Sequence, residues 1–157
     1  MTEEHPLEKR YRVALEAAQI GIWTWCRDSR FIVWDDVAAG MVGIGPEARL
    51  ELLDWEGLAD PQDRDNVRHA LAGAIDGAGS GSLSIVARFR RPSDQAERWL
   101  SIYGRTEFKD GVAERICAAV RDVTHSRVLE IETGRIEARL TAIVSIAADA
   151  IVSLDGE

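Results

Sequence analysis

Few side chains in this 157-residue chain are of types that do chemistry, and their spacing argues against most reactions. His69 lies in a stretch where Val67, Ala70, Leu71, Ala74 and Ile75 recur at helical spacing. At about 100° per residue it points almost opposite to that apolar face, so solvent exposure is expected, not ligation. Cys26 and Cys117 make no disulfide framework and lack the spacing of zinc ligands. They read as small, half-buried residues in a reducing compartment. Gly77, Gly79 and Gly81 follow a helical stretch and precede an alternating one. That is the reverse of the order that aims helix amides at a phosphate. The acidic pairs Asp35/Asp36 and Asp63/Asp65 read as caps and surface charge, because general acid–base work needs carboxylates converging on one pocket. The remaining candidates are aromatic. Trp23, Trp25, Trp34, Trp55, Trp99 and Tyr103 could line a pocket for a planar ligand, since such sites are largely apolar. The competing reading is that they fill core or interface area.

The elements that must position these residues follow from periodicity. Residues 7–19 form a helix, with Leu7, Tyr11, Ala14, Leu15 and Ala18 at helical spacing and Gly21 as a stop. Two strands follow at 21–26 and 30–34, joined by the turn Arg27-Asp28-Ser29. Residues 37–42 make a short helix ended by Gly43 and the Gly45-Pro46 pair, and 47–58 hold one or two helical turns. The clearest helix start is Asp60-Pro61, an N-cap followed by proline at the first helical position, with Asp63 adding first-turn charge. That helix runs to about Ile75. Three alternating stretches then carry Leu83/Ile85/Ala87/Phe89, Leu100/Ile102 against Trp99/Ser101/Tyr103/Arg105, and Ile116/Ala118/Val120. Turn residues between them predict antiparallel hairpins. Two strands, several short helices, then three strands imply an α+β domain with helices packed on one face of an antiparallel sheet.

From Thr124 the pattern changes. Leu129, Ile136 and Ile143 form one seven-residue series, and Leu140 and Ala147 belong to another, with charged residues between. This predicts a dimer seam of about three heptads, with an amphipathic helix lying on its own domain as the rival reading. Its 24 residues from 125 to 148 would span about 36 Å. The formal net charge of -8 excludes the clustered basic face of a nucleic-acid binder and a polybasic membrane anchor. No apolar run approaches the ~18 residues of a membrane span, and the polar start is unlike a signal peptide. A cytoplasmic location is expected.

Residues 11–124 resemble a PAS domain of the PAS fold-3 subtype. The resemblance rests on Ala17-Ala18-Gln19-Ile20-Gly21-Ile22-Trp23-Thr24-Trp25 and Phe31-Ile32-Val33-Trp34-Asp35-Asp36. It continues through Asp60-Pro61-Gln62-Asp63-Arg64 and Arg98-Trp99-Leu100 to Arg121-Asp122-Val123-Thr124. The family usually has His where Asp60 stands, and a longer loop between the first two strands. Residues 138–155 resemble the opening of a second such domain, in which those after Ala148 would be a first strand without a partner.

The resemblance implies a five-stranded antiparallel sheet, with a cap helix over residues 1–21, the domain at 22–124, a coiled-coil signalling helix at 125–148 and a truncated second domain at 149–157. It further implies a regulatory module of a larger signalling protein, a sensor histidine kinase or else a diguanylate cyclase or phosphodiesterase. The output domain would lie in the same parent chain, and the module itself would be no enzyme. Asp122 and Thr124 become transmission residues between core and helix, although Thr124 can equally be a plain N-cap. A homodimer through Leu129, Ile136, Leu140 and Ile143 is expected, with ligand-free scaffolding as an alternative. Haem bound at His69 is disfavoured by its face, and a light-sensing flavin adduct by the lack of an Asn-Cys-Arg-Phe motif. No cofactor is required. His125 lacks the surrounding motif of a kinase phospho-acceptor, being followed by Ser126-Arg127-Val128-Leu129.

Overall fold

The computed structural model describes residues 5–45 and 47–154, with side-chain surroundings as far as residue 146. The chain divides into two compact units that meet between Val123 and Thr124.

The first unit opens with helix α1, Pro6–Ala17, where His5 caps by accepting from the Leu7 N–H and Pro6 takes the first turn. Gln19, at φ 54°, turns the chain into strand β1, Ile20–Cys26. A turn leads back along β2, Phe31–Trp34, with Trp23 opposite Trp34. Asp35 then does two jobs. One carboxylate oxygen caps helix α2, Asp36–Val42, through the Ala38 N–H at 2.7 Å, and the other accepts from the Ile22 N–H at 2.9 Å. The cap therefore staples α2 to β1. Gly43, at φ 75°, ends α2 in the left-handed region that glycine tolerates.

Gly21 is not the helix stop that its position suggested. It lies inside β1, where a β-carbon would stand 2.4 Å from the Ala38 nitrogen. Only a residue without a side chain lets α2 sit this close.

A two-residue strand β3, Leu50–Glu51, pairs with β2, so the sheet has six strands where five were expected. A 3-10 turn at Asp54–Leu58 buries Trp55. Helix α3 runs Arg64–Ile75 and buries Val67, Leu71 and Ala74. It begins later than Pro61, because the Asp60 carboxylate closes a turn on the Gln62 N–H and Asp63 is claimed elsewhere. Strands β4 (Ser82–Arg90), β5 (Glu97–Lys109) and β6 (Val112–Asp122) follow as consecutive hairpins. Asp110 and Gly111 both adopt positive φ, 51° and 76°, as the tight β5–β6 turn requires.

The sheet order is β3-β2-β1-β6-β5-β4, entirely antiparallel, so β1 is drawn between its hairpin partner β2 and the last strand β6. The core lies between the inner face and the helices. It contains Trp23, Ile32, Trp34, Val42, Trp55, Val67, Leu71, Leu83, Phe89, Leu100, Ile102, Ile116 and Val120. This is the α+β arrangement expected.

The second unit is a single helix, α4, Thr124–Leu154. The strand expected after Ala148 is not formed there, since the helix continues through residue 154. Residues 155–157, the rest of that expected second-domain start, lie outside the described residues, as does the side chain of Ala147.

Candidate functional site

The six aromatics do not line one pocket. They fall in three places. Trp23, Trp34 and Trp55 are buried together, with Trp23 5.6 Å from Trp55 and 6.0 Å from Trp34 between ring centroids. Trp55 continues the stack onto Phe89 at 5.4 Å. These tilted rings occupy the space between sheet and helices and serve as core. Their indole N–H groups are buried without a protein acceptor, a cost of about 1–3 kcal/mol each that the aromatic burial must offset.

Trp99 and Tyr103 stand on the opposite face of the sheet, because their neighbours Leu100 and Ile102 take the inward positions. The Arg88 guanidinium covers Trp99 at 5.4 Å. Tyr103 is exposed in a shallow depression with Ile22, Cys117 and Ala119. Trp25 is half-buried and lines a separate cleft at the end of β1. The companions Ser101 and Arg105 on the parity of Trp99 and Tyr103 are the sequence signal that this face points outward.

His69 is exposed on α3, turned away from Val67, Leu71 and Ala74, with its Nδ1 2.7 Å from the Asp65 carbonyl oxygen. A haem iron in the core would need a ligand from the other side of this helix. Cys26 and Cys117 are both free thiols, Cys117 being exposed where half-burial was expected. They belong to the outward parity of adjacent strands β1 and β6. Among the described residues no three His, Cys, Asp or Glu side chains gather as a metal site, and no helix is long and apolar enough to cross a membrane.

Asp122 ends β6, 3.8 Å from the Arg98 guanidinium on β5, and the Val123 N–H bonds to the Trp99 carbonyl at 2.8 Å. The exit of the sheet is thereby tied to the strand that carries Trp99. Thr124 is the first residue of α4. Along α4, Leu129, Ile136, Leu140 and Ile143 are all exposed, and Val144 and Ile146 widen the apolar stripe beside them.

One polar cluster escaped the sequence reading. Asp63, placed by periodicity as first-turn charge, instead receives the backbone N–H, Nε and Nη2 of Arg88 across to strand β4. The hydrogen bond from the Arg88 side chain holds the Asp63 carboxyl below the usual carboxylate range, and the same contact raises the arginine. A carboxylate and a guanidinium 25 positions apart carry no local signal that they meet.

This six-stranded antiparallel sheet with short helices on one face has the PAS fold. The solved structures it resembles include a sensory box histidine kinase/response regulator from Burkholderia thailandensis, at TM-score 0.66 and 22% identity, covering 83% of this chain and 98% of that one. Another is the PAS domain of a Colwellia psychrerythraea protein, at TM-score 0.57 and 16% identity, covering 76% and 98%. Among curated proteins, the non-motile and phage-resistance protein of Caulobacter vibrioides is 31% identical over 153 residues, 94% of this chain. The chain spans 18% of the length of that relative. No family model matches the sequence.

Proposed function

We propose that the chain is a regulatory module of a larger signalling protein, in which a change at the PAS domain is passed through the β6 exit at Asp122 and Thr124 into α4. The parent is a sensor histidine kinase, with a diguanylate cyclase or phosphodiesterase as the alternative, and its output domain lies in the same chain. The module does no chemistry of its own, works in the cytoplasm and pairs with a second copy. The kinase reading is supported by the histidine kinase named among the similar structures.

The observation that carries this reading is the exposed seven-residue series on α4. Leu129, Ile136, Leu140 and Ile143 are 49%, 61%, 57% and 54% exposed, on a helix of 31 residues. A single helix with such a stripe is stable in water chiefly when a partner covers it. A two-state element of this kind needs only a few kcal/mol of differential binding to move. The test is Leu140→Glu. Light scattering should show the 157-residue chain as a dimer and the variant as monomer, and an unchanged dimer would remove α4 as the seam.

A ligand-free scaffold is the second reading, favoured by the tryptophans that fill the core. A featureless visible absorbance spectrum and no retained small molecule by mass spectrometry support it. We infer no haem and no flavin adduct in either case.

A further inference from the structure

A cleft of about 330 Å³ lies where the β1–β2 turn, the segment after β3, the end of α3 and the start of β6 converge. That is the size at which small-molecule sites begin. It opens at the edge of the tryptophan core, whose buried cluster includes Leu52 and against which Trp25 and Ile75 pack. Its walls are apolar, formed chiefly by Trp25, Leu52 and Ile75, and its charged rim is Arg27, Arg30 and Glu51.

The rim is fixed by the turn that carries it. The Trp25 Nε1–H donates to the Arg30 carbonyl at 3.1 Å, which satisfies the polar edge of the indole and orients the ring. Arg30 takes φ 62°, and the Ser29 hydroxyl bonds back to the Cys26 carbonyl at 3.0 Å. Arg30 is already paired with Glu51 at 2.9 Å. Arg27 makes no ion pair among the described residues. Two guanidinium groups against one carboxylate leave the rim at +1, in a chain whose net charge is -8.

We propose that this cleft binds a small monoanion, a carboxylate carrying an aromatic or short aliphatic body. The apolar body removes water from Trp25, Leu53 and Ile75, and the carboxylate pairs with the unshared Arg27 fork. A cation would meet Arg27, and a dianion would crowd Glu51. Binding stands apart from the relay through α4. Only the use of this ligand as the relay's input rests on that reading.

Isothermal titration of the 157-residue chain with phenylacetate and octanoate tests it, with phenylacetamide as the neutral isostere. The acids should bind saturably and the amide about tenfold more weakly. Arg27→Glu changes the rim from +1 to -1 and should cost at least about tenfold, Arg27→Gln less, and Arg105→Glu on the outer sheet face nothing. Circular dichroism confirms that each variant is folded. Absence of saturable binding, equal affinity for acid and amide, or indifference to both Arg27 variants overturns the site. Light scattering on the same samples reports the dimer separately, so either idea can fail alone.

Discussion

Asp63→Ala removes the acceptor of three hydrogen bonds donated by one residue. They come from the Arg88 backbone N–H at 2.8 Å and from its Nε and Nη2, each at 2.9 Å. The side chains of Asp63 and Arg88 are 19% and 24% exposed, so the pair is better shielded than the surface ion pairs that contribute little. A hydrogen bond to a charged group contributes about 1.5–3 kcal/mol. The three do not add, because Arg88 lies on an edge strand where its N–H and guanidinium can turn to water. The expected loss is therefore about 2–3 kcal/mol, a fall in Tm of roughly 6–12 °C for a domain of this size.

The pH dependence of that loss has a definite sign. The folded-state pKa of Asp63 lies below its unfolded value, so its stabilisation is full above about pH 4 and disappears as pH falls through the folded value. Urea denaturation at pH 7 should separate wild type from variant, and the difference should shrink towards pH 3. A loss under about 0.5 kcal/mol at pH 7, or an equal loss at both pH values, would refute the reasoning.

Two further outcomes are expected. Gly21→Ala should destabilise the domain by about 1–3 kcal/mol, because α2 must retreat from the new methyl group; Gly40→Ala, with no atom within 4 Å, should not, and urea midpoints compare them. His69→Ala should leave the absorbance spectrum of the purified protein unchanged, and loss of a Soret band would contradict the placement of this ring on the solvent side of α3.

Local rules made much of the fold legible. Period-two alternation marked β4, β5 and β6, and turn residues marked the hairpins between them, since both signals lie within a few residues. The core face of α3 followed from Val67, Leu71 and Ala74 in the same way. Boundaries shifted where a cap found another partner, as at Asp63. The candidate site was less legible. Trp23 and Trp99 are alike by residue type, yet one sits in the core and the other under Arg88 on the outer face.

By itself the sequence determined most of the strands and helices, though not β3 or the last turns of α4, which residues share a face, and that an apolar series runs along the last helix. These depend on backbone periodicity and neighbouring side chains. Only the tertiary structure decided that β1 lies beside β6, that Gly21 clears a path for α2, that Arg88 reaches Asp63, and that Trp25 and Arg27 meet Leu52 and Ile75 around one cleft. Each of these joins residues far apart in the chain, and their meeting depends on how the whole sheet closes over its core.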